Sequence, residues 1–252
     1  MSIFNMPLDF LDSVALVIFI ASWMGYSSFA YRKSKTTNCI AHCLQQHRIH
    51  WMQEVMTRDI RVSEAALLGN LERNIAFFAS STLLVLAGIL TLFSQVDAFE
   101  DVIKSIPHSD FTSHSVTQLK LTLMAFIFVV AFFNFTWSMR QYGFVNVMIG
   151  ASPIDEEGKN KNLKKYAYQI AVIQDQAAHS YNYGLRAYYF SLAALCWFYH
   201  PVLLILASLV VAATLYFREF KSTAVKALTK GQHYLKVERD LKSPSEKQHE
   251  NE

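Results

Sequence analysis

Residues 195–206 read LCWFYHPVLLIL and sit inside a nearly unbroken apolar run over 187–217. Two foldings of that run compete. As one helix its 31 residues would extend about 46 Å at ~1.5 Å per residue, well beyond a hydrocarbon core of about 30 Å. As a hairpin turning at His200-Pro201 it would cross and return. Proline lacks the N–H that a helix interior needs and pushes the preceding residue out of the helical region, so it favours the turn. The choice decides on which side of a membrane the C-terminal segment lies.

The basic residues arbitrate. Lys and Arg are enriched in loops that stay on the cytoplasmic side. An arginine stands at one end or both of each apolar run: Arg32, Arg73, Arg140, Arg186 and Arg218. With Arg32 inside, the first residues lie outside, and so does the segment 93–120. The hairpin then puts every one of the 23 basic residues inside except Lys104 and Lys120. A single crossing would leave the basic C-terminal segment outside. The hairpin is therefore the expected fold, although its arms, 187–199 and 201–217, are only about 20 and 25 Å long as helices.

Composition agrees with a membrane chain. Of 252 residues 52% are hydrophobic and only 17% charged, which argues against a soluble globule of this length. Three more stretches are long enough to cross a bilayer, at 13–31, 74–92 and 121–139. The expected fold class is an all-α integral membrane protein. It has about five transmembrane helices, the last two a short hairpin at His200-Pro201, plus cytoplasmic helices. The first stretch has no basic region before it and is too long for a signal-peptide core, so it is expected to be a retained anchor.

Residues 1–222 are expected to form a single helical membrane domain, with cytoplasmic helices at about 38–70 and 159–186. Residues 223–252 form a basic and polar tail whose distal part is expected to be disordered. SVTQ at 115–118 matches a capping box and predicts the start of the third span; GASP at 150–153 predicts its end. Leu163, Tyr166, Ile170, Ile173 and Ala177 follow the a/d spacing of a coiled coil. The seam is short, so packing on the first cytoplasmic helix is favoured over an intersubunit coil. Asp9 and Asp12 read as an acidic outer face.

Two groups of residues could carry chemistry. Cys39, Cys43, His47 and His50 fall within about 80° of one another on a helix, and Cys and His are metal ligands. Spread over 12 residues, they offer one ion two adjacent ligands at most, and no closed four-ligand spacing is present. A metal is therefore not expected there; nor is a cofactor, or a disulfide among the three cysteines, the third being Cys196.

The second group is a set of polar residues at or near span ends, where polar groups tend to face a bundle interior or a water-filled path. Asn134, Trp137 and Gln141 share a face at i, i+3, i+7. His179, Asn182 and Arg186 repeat the spacing, as do Asn74, Phe77 and Ser81 beside Arg73. With Arg73, Arg140 and Arg186 they predict a ring at the inner interface that binds lipid headgroups or a ligand, or forms a pore mouth. The bland reading is that the arginines snorkel and the amides hold helices together.

Three longer stretches carry a resemblance: those containing RNIAFFASS at 73–81, FTWSMRQ at 135–141 and GLRAYYFSLAA at 184–194. The sequence resembles the domain-of-unknown-function 599 family of bacterial membrane proteins over roughly 9–222. The resemblance implies a multi-span protein of the bacterial inner membrane and no particular chemistry. CIAHCLQQHRIHWM, at 39–52, is richer in Cys and His than the family pattern.

No Walker loop, GxSxG, HExxH or buried carboxylate pair points to an enzyme. The expected function is a non-enzymatic membrane protein, homo-oligomeric, with a pore or transport role. The alternatives are an accessory subunit binding anionic lipid or a partner complex and, more remotely, a metal-binding protein. Nucleic acid is not an expected partner.

Overall fold

A computed structural model describes residues 8–105 and 113–249, with side chains as far as Glu238. The described residues are helical and contain no strand. The elements are α1 (Phe10–Ser34), α2 (Ile40–Thr57), α3 (Val62–Ser94), α4 (Val96–Lys104), α5 (His114–Ala151), α6 (Lys161–Leu195), α7 (Pro201–Phe220) and α8 (Thr223–His249). Four helices are long and apolar enough to cross a membrane: α1, α3, α5 and the one that begins at Pro201.

The chain does turn at His200-Pro201. α6 ends at Leu195, a 3-10 turn covers Cys196–Phe198, and His200 adopts an extended backbone. Its Nδ1 accepts the Val202 N–H at 3.1 Å, and Pro201 fills the first helical position, where a missing N–H costs nothing. A histidine cap followed by proline ends one helix and begins the next.

α5 and α6 run antiparallel at the centre, α3 packs on α5, and α7 and α1 pack on α6. The α5–α6 seam combines aromatic rings with small residues, which let helix backbones approach closely. Ala131, Ser138, Ala177, Ala187 and Ala194 are all buried, and Ser138 Oγ donates across the seam to the Ala177 carbonyl at 2.7 Å. At Gly184 a Cβ would stand 2.6 Å from the Phe135 ring. That ring stacks on Phe78 and touches Tyr181 and Tyr188, so it has nowhere to move.

Several expected boundaries are corrected. The helix expected over 38–70 is two: α2 ends at Thr57, and 62–70 belong to α3. Arg61, in the link, donates to the Ile149 carbonyl at 2.7 Å and to the Ser152 carbonyl at 3.0 Å, tying the break to the end of α5. The helix expected over 159–186 and the first hairpin arm are one element, α6, capped by Asn160 and uninterrupted to Leu195. α5 starts at His114 behind Ser113, and no capping-box bond forms; its end falls at Ala151, within GASP. The tail continues as α8, which packs on α2 through the buried Val225 and through Thr229. The expected distal disorder falls on residues whose side chains, from 239 on, lie outside the description, although the helix runs to His249. The heptad seam packs within the chain: Ile170 and Ala177 are fully buried, and Tyr166 donates to the Met148 carbonyl at 3.2 Å.

Asp12 is not part of an outer acidic face. It is buried and accepts the Trp197 indole N–H at 2.6 Å, while the buried Lys120 lies over that ring at 5.4 Å. This lock joins the starts of α1 and α5 to the end of α6, at the end of the bundle that carries α4. The opposite end, built on α2 and α8, holds the candidate site.

Candidate functional site

The three polar stripes share a spacing, but they do not share an environment. On α3, Arg73 and Asn74 are exposed, Phe77 is 67% exposed, and Arg73 donates to Asn70 one turn back. On α5, Trp137 is half-exposed, Asn134 donates to its own helix at Val130, and the exposed Arg140 lies over the Phe144 ring. Gln141 alone of that stripe is buried; its Oε1 accepts from Ser180 Oγ at 3.3 Å and its Nε2 reaches Gln176 at 3.5 Å, which makes it glue between α5 and α6. Arg73 and Arg140 are thus exposed on α3 and α5, outside the cavity that Arg186 lines.

The α6 stripe is different. His179, Asn182 and Arg186 line a cavity of about 340 Å³ bounded also by Tyr26 of α1, Leu71 of α3, Arg48 of α2 and Arg218 and Glu219 of α7. Its floor is Asp175, which accepts from Arg48 Nη1 at 2.8 Å and Gln45 Nε2 at 3.1 Å, with His179 Nε2 at 3.4 Å. Asp175 is only 8% exposed, and the Arg48 and Gln45 donors compensate its removal from water. Glu219 accepts the Ala41 N–H at 3.1 Å, which places its carboxylate beside the positive start of α2.

Both carboxylates are thus engaged, and the guanidiniums of Arg186 and Arg218 remain. Arg218 donates to the Tyr189 hydroxyl at 3.1 Å and lies over its ring at 5.6 Å. Arg186 lies 5.5 Å from the centroids of both Tyr26 and Tyr183. Aromatic contact uses the face of a guanidinium and leaves its in-plane N–H fork available. Among the described residues no hydrogen bond or ion pair takes the Arg186 donors, and the Asn182 amide makes no hydrogen bond either.

The Cys/His face of α2 is occupied by packing. Cys39 caps α2, with Sγ 3.5 Å from the His42 N–H, and burial pushes its thiol above the ordinary range. Cys43 Sγ meets Thr229 Oγ1 at 3.5 Å and His47 Nε2 meets the Leu228 carbonyl at 3.3 Å, both on α8. His50 stands 4.0 Å from Glu54. Among the described residues no three His, Cys, Asp or Glu side chains are grouped to hold a metal.

Sequence reasoning found the α6 stripe and missed Arg48, Asp175, Arg218 and Glu219. One signal was available: Asp175 is the sole carboxylate in the 35 residues of α6, with His179 one turn on.

Apolar helices around a polar end-cavity define a helical membrane protein. The family described as "Protein of unknown function, DUF599" matches residues 14–224, and the chain belongs to it. No curated protein and no solved structure gives a match.

Proposed function

We propose that this is a non-enzymatic, multi-pass protein of the bacterial inner membrane that captures an anionic group in the α6 cavity. α6 acts as a fifth crossing, its polar composition tolerated because α5, α1 and α7 enclose it. The N-terminus lies outside and α2, α8 and the cavity lie on the cytoplasmic side, a reading supported by the bias of the basic residues. The observation that carries the proposal is Arg186, 5.5 Å from two tyrosine rings and with its donors free, in a cavity where both carboxylates already accept hydrogen bonds. A thermal-unfolding titration of the purified protein with inorganic phosphate tests it. Saturable stabilisation is expected, weakened about tenfold or more when Arg186→Gln and Arg218→Gln are combined, as loss of charge-assisted bonds predicts. Equal stabilisation of wild type and double variant would refute it.

One observation favours a second reading, a pore shared by several copies. Arg73 and Arg140 are exposed beside large exposed side chains, Phe77 and Trp137, a surface that copies of the chain would cover. A homo-oligomer in gentle detergent, with ion flux sensitive to Arg73→Gln and Arg140→Gln, is its test; a monomer would end it.

A further inference from the structure

The polar cavity does not stand alone. An apolar groove of about 980 Å³ runs between α3, α4, α5 and α6, from Phe78 to Phe99 and Phe198 near the α4 end. Leu185 and Tyr189 line both the groove and the cavity. One face of α6 therefore carries a cationic compartment at one level and a hydrocarbon one directly beyond it. From Leu185 to Leu195 the groove follows α6 for about 15 Å at ~1.5 Å per residue.

The groove has almost nothing polar to offer. The Tyr188 hydroxyl is engaged by Thr82 Oγ1 at 2.8 Å and the Phe78 carbonyl, and the Ser191 hydroxyl donates to the Tyr188 carbonyl at 2.8 Å. The wall left is Val85, Gly88, Leu92, Met124, Leu192 and neighbouring apolar side chains. Gly88 opens it further, since a Cβ there would meet no atom within 4 Å. The boundary residue Tyr189 is itself held by Arg218 at 3.1 Å, which sets a cation at the junction of the two compartments.

We infer that the ligand is an anionic amphiphile of the membrane. Its phosphate-type head would occupy the α6 cavity against Arg186 and Arg218, and its hydrocarbon chain would lie in the groove past Tyr189. The inference rests on the anion-capturing reading and adds the chain. Charge complementarity selects the head, and the shared wall of the two compartments selects a molecule that has both parts. A helix of a second copy would fill the groove equally well but would leave the cavity's cations unanswered.

The test uses full-length protein in nanodiscs of zwitterionic lipid doped with hexadecyl phosphate, followed by native mass spectrometry. Phosphate-dependent thermal stabilisation is read in parallel. Wild type is expected to retain one hexadecyl phosphate. Gly88→Trp, which fills the groove where space exists, should lose that retention by tenfold or more and keep the response to inorganic phosphate; Val85→Trp repeats the block from a different position. If both tryptophan variants retain hexadecyl phosphate like wild type, the chain site is wrong while anion capture stands. If wild type responds to inorganic phosphate and retains no hexadecyl phosphate, the chain site likewise fails. If combining Arg186→Gln with Arg218→Gln changes neither readout, both the inference and the reading beneath it fall. A dimer that Gly88→Trp dissociates would assign the groove to a second copy and overturn the inference.

Discussion

α3 and α6 carry polar stripes of identical spacing, Asn74-Phe77-Ser81 and His179-Asn182-Arg186, and the two have opposite fates. The first faces outward, with Ser81 Oγ satisfied by the Phe77 carbonyl of its own helix. The second lines a cavity whose other walls come from α1, α2, α3, α5 and α7. Periodicity places side chains on one face of a helix, but what that face meets is decided elsewhere. α6 is central and touched from several sides; α3 is peripheral and packs chiefly on α5. An amide on a helix inside a bundle finds partners or a ligand, whereas one on its rim satisfies itself locally or faces headgroups.

The comparison can be broken by substitutions on both helices and on the neighbour they share. The largest difference is expected at aromatic residues. Phe135→Ala, which empties a fully buried site against α6, should cost about 3–5 kcal/mol of stability, while Phe77→Ala on the rim of α3 should stay within about 0.5 kcal/mol. Denaturant unfolding in mild detergent reads both. Equal costs would mean that α6 is not the enclosed helix.

Asp175→Ala comes next. It leaves Arg48, itself largely buried, without its carboxylate, and about 3 kcal/mol is expected, the usual cost of halving a buried pair. Removing Arg48 as well should recover part of that loss, and a strictly additive double variant would show that the two do not act as a pair.

Glycines give a sharper contrast. Gly184→Ala drives a Cβ into the trapped Phe135 ring and should cost about 1–3 kcal/mol; Gly88→Ala on α3 enters open space and should be nearly neutral.

The smallest effect concerns Cys39. Burial raises its thiol pKa, so the folded state holds this proton more tightly than the unfolded chain does. The resulting contribution to stability is complete below the ordinary thiol pKa and is lost as pH rises through the folded value. At pH 8 maleimide should modify Cys39 more slowly than a thiol in the unfolded chain. Equal rates would contradict a buried cap.

Much of the fold was legible because it depends on local chemistry. His200-Pro201 announced its turn through one residue that cannot continue a helix and another that can cap one. GASP stopped α5 for the same kind of reason. α6 was misread as two elements because its polar half and its apolar half look like different environments, and nothing local says that the same neighbours enclose both. The candidate site was only half legible. His179, Asn182 and Arg186 stood out by spacing, but Arg48 lies 127 residues before Asp175 and meets it only through the packing of α2 on α6. Glu219 and Ala41 are 178 residues apart for the same reason. The Cys/His stripe showed the converse: Cys43 and His47 meet α8, an occupant that could not be seen from spacing alone.

The most direct test separates the cavity arginines from the rim arginines. Protein released gently from its own membranes is compared by native mass spectrometry as wild type, as Arg186→Gln with Arg218→Gln, and as Arg73→Gln with Arg140→Gln. Anionic adducts retained by the wild type should disappear with the first pair and persist with the second. Adducts that survive the loss of Arg186 and Arg218 but vanish with Arg73 and Arg140 would move the site to the rim and contradict the account.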